Sequence, residues 1–153
     1  AQSREDRYRR VARRRVSAVK HMIGQVVLGT GVDVVDIERF RKVLARRPRL
    51  VERVFTEGER AYAARFRDPT QRLAARFAAR EAVMKTMGVG IGACAMRDIE
   101  VIRGERGKPG VKVHNKAALL AEERGVAGWE ISLTHSDIVA VAFAVALGQP
   151  QAD

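Results

Sequence analysis

Asp33, Glu81 and Lys85 are the side chains whose types and spacing could do chemistry. Glu81 and Lys85 lie four residues apart in a run from Gln71 to Met87 without Gly or Pro, so they share one flank of a helix. Leu73, Phe77 and Met84 form an apolar stripe on that helix. Arg80 falls inside the stripe, where a solvated charge is not expected. A carboxylate and cations on a rigid element can hold a metal and a polyanion. The same spacing also makes an ordinary surface ion pair, worth about 0.2–0.5 kcal/mol. Asp33 stands in the β-branched run from Val26 to Val35. Either it is buried and needs a partner or a cation, or the strand ends at Gly31 and Asp33 caps the next element. An oxygen-only pair, Asp33 with Glu81, favours a hard cation such as magnesium, or manganese in its place. One Cys and three scattered His lack zinc-ligand spacing.

His135 occupies a polar corner, Thr134-His135-Ser136-Asp137, between two strand-like segments. It is either a ligand contact at a strand end or a surface-turn histidine. A triad of Ser136, His135 and Asp137 is not expected, because sequence neighbours do not align as a relay. Gly88-Val89-Gly90-Ile91-Gly92 comes after a helix instead of opening one. It reads as a helix C-cap and turn, with Gly88 available for backbone contact with a ligand.

The elements that must position these residues are set by periodicity. After the first strand, Asp36 caps a helix whose apolar positions are Ile37, Phe40, Val43 and Leu44, stopped by Pro48. Its other face carries Arg39, Arg41, Lys42, Arg46 and Arg47. Such a face is either solvated or a docking surface for an acidic partner. A short helix from Leu50 to Phe55 precedes a capping box, Thr56 with Glu59, that opens a helix through Phe66. Asp68 and Pro69 turn the chain and Thr70 caps the central helix. Asp98 to Arg103 and Val111 to His114 form a hairpin, and Asn115 caps a helix ended by Gly125. Trp129 to Leu133 is a strand, and Ile138 to Leu147 reads as a buried one. The order predicts an α+β domain, a small antiparallel sheet packed on helices.

The 153 residues suit one domain, and 46% hydrophobic content indicates a folded chain. No apolar run approaches the length of a membrane span. The single Cys94 excludes an intrachain disulfide and points to a reducing compartment, so a cytoplasmic protein is expected. More than half of the +11 charge lies in residues 1–21, with eight Lys/Arg against two Asp/Glu. That segment reads as a basic extension, disordered or added ahead of a natural start at Met22, with residues 22–153 as the functional domain. The charge alone would also fit a basic nucleic-acid-binding module, but there is little aromatic interleaving for base stacking.

Five segments together carry a family resemblance. They are Gly31-Val32-Asp33 followed by Ile37-x-Arg39; Phe55-Thr56-x-x-Glu59; Arg76-Phe77-Ala78-Ala79-Arg80-Glu81-Ala82-x-x-Lys85; Gly107-Lys108-Pro109; and Ser132-Leu133-Thr134-His135-Ser136. Over Ile23 to Leu147 the chain resembles the holo-acyl-carrier-protein synthases, the small 4′-phosphopantetheinyl transferases. One departure is Arg80, where the family usually has Lys; this keeps charge but not point-charge geometry. The resemblance implies transfer of 4′-phosphopantetheine from coenzyme A to a serine of apo acyl carrier protein, releasing adenosine 3′,5′-bisphosphate, as in fatty acid biosynthesis. It implies a magnesium site at Asp33 and Glu81, and catalytic roles for Asp33, Glu81 and Lys85. It also implies cofactor contacts from Arg76, Arg80, Lys85, Gly88 and His135, with Arg76 and His135 on the 3′-phosphate. The carrier protein would dock on Arg39, Arg41, Lys42, Arg46 and Arg47. A homotrimer with sites between subunits is implied, and neither membrane nor nucleic acid is an expected partner.

Overall fold

Two glycines decide how the sheet meets the central helix. In the computed structural model, which describes residues 24–150, β1 (Val26–Asp36) lies against the helix α4 (Thr70–Thr86). A Cβ placed on Gly29 would sit 2.2 Å from the Thr86 carbonyl oxygen, and one on Gly31 would sit 2.0 Å from that of Ala82. Only a residue without a side chain permits this approach. The neighbouring strand β5 (Val139–Gly148) offers Ala140, Ala142, Ala144 and Ala146 to the same helix, all buried. From its side α4 contributes the buried Ala74, Ala78, Ala79 and Ala82. Small residues on both surfaces let backbones pack closely. The basic segment 1–21 and the expected start at Met22 lie outside the described residues.

The remaining elements surround this contact. Between β1 and α4 come α1 (Ile37–Arg46), α2 (Leu50–Val54) and α3 (Glu57–Ala63). After α4 come a 3-10 turn, β2 (Ile99–Arg103), β3 (Pro109–Val113), α5 (Asn115–Glu123) and β4 (Val126–His135). The sheet is antiparallel in the order β1-β5-β4, with β2-β3 as a separate hairpin. The expected α+β class and its antiparallel sheet are what the structure shows.

Several local expectations change. Asp33 pairs with Ala142 inside β1, so the strand does not end at Gly31. Thr70 is the first residue of α4 and offers no side-chain cap; the Asp68 carboxylate accepts from the Thr70 N–H instead, at 3.0 Å. Asn115 is likewise inside its helix, at φ 46°, with its amide donating to Asp98. The third helix stops at Ala63, not Phe66. Strand β5 is buried on its alanine face only, while Phe143 on the other is 45% exposed. Its apolar run mixed two faces, and composition cannot separate an inner from an outer one. On that outer face β1 adds Val32 and Val34, also exposed. The Asp36 cap on Arg39 N–H (2.7 Å) and the Thr56–Glu59 capping box form as expected.

The glycine contact is testable. Gly31→Ala should cost about 1–3 kcal/mol, because the obstructing atom is backbone and cannot rotate away. Gly128→Ala, with open space around the new methyl, should cost nothing. Equal denaturant midpoints for the two variants would contradict the packing argument.

Candidate active site

Along β1, residues 29, 31 and 33 point the same way, so the face that accepts the helix at Gly29 and Gly31 turns Asp33 toward it as well. Lys85 reaches across: its Nζ donates to Asp33 Oδ1 at 3.0 Å and to the Val32 carbonyl at 2.8 Å. The Lys85 side chain is 50% exposed and that of Asp33 19%. So open an ion pair contributes about 0–1 kcal/mol, and its partners can exchange for a ligand at little cost. Glu81 lies one turn before Lys85 and is half-buried. Its carboxyl is held above the usual carboxylate range, first by burial, then by the Asp33 charge, with Lys85 opposing. Strand and helix thus bring Asp33 and Glu81 into each other's field. Glu81 makes no hydrogen bond to another described residue. Its lone pairs are available.

Two carboxylates suit a cation that keeps water and substrate oxygens in its remaining positions, as magnesium does. Among the described residues no group of three or more His, Cys, Asp or Glu forms a ready cage. A site completed by water and ligand oxygens fits that donor set.

The two arginines upstream of Glu81 part company. Arg80 is fully buried and ion-paired with Glu59; it also donates to the Met96 carbonyl at 3.0 Å and to that of Arg76 at 3.1 Å. Cofactor contact expected of Arg80 is therefore corrected: its guanidinium is consumed inside the core. Glu59 is the residue that sequence reasoning placed in a capping box and a motif segment without a partner for its charge. It accepts from Thr56 N–H, Val101 N–H and Arg80, joining α3, β2 and α4. The available signal was Arg80 in an apolar stripe, since a buried cation requires a carboxylate.

Arg76 is 6% exposed, and its Nε has no hydrogen-bond partner in the described structure. Burial works against its charge, which the nearby Glu59 partly offsets. It stacks 4.3 Å from the Tyr62 ring centroid and borders an open groove of about 250 Å³ that His135 also lines. His135 ends β4, opposite Ala140, and is exposed. The neighbouring Ser136 Oγ accepts from the Ile138 and Val139 N–H groups, and Asp137 accepts from Gln71. No triad forms there.

On α1 and at its C-cap, Arg39, Lys42, Arg46 and Arg47 are exposed. Arg41 is partly exposed and engaged within the fold. It donates to both Asp68 oxygens at 2.9 Å, to Thr70 Oγ1 at 3.0 Å and to Glu38 at 3.1 Å, tying α1 to the start of α4. Asp68 is held far below the usual carboxylate range by that guanidinium. Arg41, expected on the docking face, thus also has a structural role, with its side chain still 42% exposed. A larger groove, about 730 Å³, opens beside Arg47 between Leu50, Arg53, Ile91 and Arg97. Gly88 closes α4 with φ +68° and is exposed.

A family model described as the 4′-phosphopantetheinyl transferase superfamily matches residues 29–143. Holo-[acyl-carrier-protein] synthase of Moorella thermoacetica is 45% identical over 119 residues, covering 78% of this chain and 93% of that protein. Holo-ACP-synthase of Plasmodium yoelii superposes with a TM-score of 0.74 at 28% identity, covering 83% of this chain and 99% of that one. A synthase from Bacillus anthracis, solved in complex with CoA (3′,5′-ADP), matches with a TM-score of 0.67 at 32% identity, covering 80% and 98%.

The electrostatic arrangement predicts opposite responses from two substitutions in metal-free protein. Asp33→Asn should move the Glu81 titration down toward the ordinary range, and Lys85→Met should move it further up. Carboxyl carbon chemical shifts tracked against pH would read both; shifts of the same sign would break the assignment of causes.

Proposed function

The chain belongs to the 4′-phosphopantetheinyl transferase superfamily, and we propose that it moves the 4′-phosphopantetheine group of coenzyme A onto a serine of an apo acyl carrier protein, leaving adenosine 3′,5′-bisphosphate. The observation that carries this reading is the meeting of Asp33 from β1 with Lys85 from α4, with Glu81 in the field of both. In the transfer, the serine oxygen attacks the phosphorus that bears pantetheine. The bond from that phosphorus to the bridging oxygen breaks, and the bridging oxygen leaves on the adenosine bisphosphate. Glu81, deprotonated above its raised pKa, takes the serine proton directly or through one water. Lys85, able to leave Asp33 at little cost, donates to the phosphate oxygens as charge develops. Asp33 and Glu81 would hold magnesium, or manganese, which when bound supplies positive charge against the diphosphate. Gly88 offers backbone beside Lys85 for the phosphates.

Arg76 and His135 hold the 3′-phosphate in this reading, supported by the groove they share and by the unpartnered Nε of Arg76. The acidic carrier protein docks on Arg39, Lys42, Arg46 and Arg47, beside the larger groove at Arg47. A homotrimer is supported by the apolar outer face of the sheet, where Val32, Val34 and Phe143 are 53%, 58% and 45% exposed. A cytoplasmic location suits the reduced Cys94 and a substrate pair of coenzyme A and carrier protein. Among the described residues no helix is long and apolar enough to cross a membrane.

The decisive experiment incubates the protein with coenzyme A, magnesium and an apo carrier protein, then weighs the carrier. A gain of one phosphopantetheine group is expected, and an unchanged mass would end the proposal. Glu81→Ala should lower turnover by about 10²–10⁴ without changing the melting temperature. Lys85→Ala should lower kcat more than coenzyme A affinity. Reversing one docking charge, Arg39→Glu, should weaken carrier binding more at low salt than at high salt; salt-independent affinity would place the docking face elsewhere.

A further inference from the structure

Beyond Asp33, Glu81 and Lys85, positive charge gathers around one aromatic side chain. The Arg76 guanidinium lies 4.3 Å from the Tyr62 ring centroid and that of Arg103 lies 4.9 Å from it. Arg103 Nη1 also donates to the Tyr62 hydroxyl at 2.8 Å. Next to them, Arg72 lies 3.8 Å over the ring of Phe66, which meets Tyr62 edge-on. Two of these cations come from α4 and the third from the end of β2, so tertiary structure alone assembles them. None of the three makes a salt bridge to another described residue, and the 250 Å³ groove they share with His135 is lined by no Asp or Glu. Two acids, Glu59 and Glu100, line an adjoining groove with Arg76 and Arg103. Glu59 is tied to Arg80 and two backbone N–H groups, and Glu100 to His114 and the Thr56 hydroxyl.

What holds these cations is aromatic faces, not carboxylates. A ring attracts a guanidinium by about 0.5–1 kcal/mol at an exposed site and leaves its charge uncancelled. A carboxylate would compete with an incoming anion; Tyr62 does not. Arg103 reaches this position by folding back over Gly107, where a Cβ would lie 2.5 Å from Nη2 and where φ is +77°. The exposed guanidinium of Arg103 keeps its remaining donors for a ligand.

We propose that Arg103, held on Tyr62 beside Arg76, is a specificity-determining residue that recognises the phosphate monoester at the nucleotide end of the substrate. The inference rests on the reading of this groove as the place of the 3′-phosphate. A phosphate monoester carries about −1.5 to −2 charges and three acceptor oxygens. Arg76, buried and short of one partner, can satisfy only part of that charge; Arg103, from the end of β2, supplies a second fork to the same groove. Tyr62 holds both guanidiniums against its ring beside the groove.

Calorimetric titration of the full chain with adenosine 3′,5′-bisphosphate and with adenosine 5′-monophosphate tests this. The unsubstituted protein should prefer the bisphosphate. Arg103→Gln should weaken bisphosphate binding roughly tenfold and leave monophosphate binding nearly unchanged. Arg103→Lys should restore only part of the loss, since it keeps charge but not the planar fork. Arg106→Gln, on the same turn but outside the groove, should change neither ligand; an equal loss there would reduce the effect to general charge and overturn the proposal. If the unsubstituted protein prefers the bisphosphate and Arg103→Gln prefers it as strongly, Arg103 has no such role while the reading of the groove stands. If the unsubstituted protein shows no preference, both fall together.

Discussion

The contact on which the structure depends is the close approach of a helix backbone to a strand backbone at Gly29 and Gly31. Everything chemical about the site derives from it. Strand alternation puts Asp33 on the same side as the two glycines, and helical periodicity puts Glu81 and Lys85 on the flank that reaches the strand. With larger residues at 29 and 31 the helix would stand off by the thickness of a side chain. The 3.0 Å bond between Lys85 and Asp33 would then be out of reach. The alanine row of β5 extends the same rule across the sheet, so the helix cannot tilt away from β1 without leaving a gap on the other side.

A second constraint fixes the helix along its axis. Arg80 and Glu59 form an ion pair with both side chains essentially removed from water. Desolvating two charges costs several kcal/mol, and the pair is tolerated because its other donors and acceptors are met by backbone groups from three elements. Removing either partner alone would strand a charge, at a cost of about 3–5 kcal/mol. The pair therefore contributes little net stability but penalises any sliding of α4 relative to α3 and β2. Because Arg80 also holds the Arg76 carbonyl, the register of the groove arginine is fixed by the same pair.

The many arginines divide according to what neutralises them. Arg41 and Arg80 are paired with carboxylates and act within the fold. Arg72, Arg76 and Arg103 are held by rings, which leave their charge uncancelled. Arg39, Lys42, Arg46 and Arg47 face solvent and carry their charge unpaired among the described residues. Net charge alone does not distinguish these three groups; the neighbours of each guanidinium do.

The sequence by itself determined the α+β class, the order of elements, the Asp36 cap, the capping box at Thr56, and which residue types, Asp33, Glu81 and Lys85, could do chemistry. Each is set by short-range rules: periodicity, capping chemistry and motif spacing reach only a few residues along the chain. It also marked Arg80 as anomalous, a charge in an apolar stripe, without saying what answers it. Only the tertiary structure decided that Glu59 answers Arg80, that Asp68 occupies Arg41, and that Arg76 and Arg103 meet at Tyr62. Those pairings join residues far apart in sequence, and a charge's role depends on which partner comes within hydrogen-bond reach, which chain order does not encode locally. For the same reason the alanine face of β5 and its exposed valine and phenylalanine face read as one apolar run until the helix was seen to cover a single side.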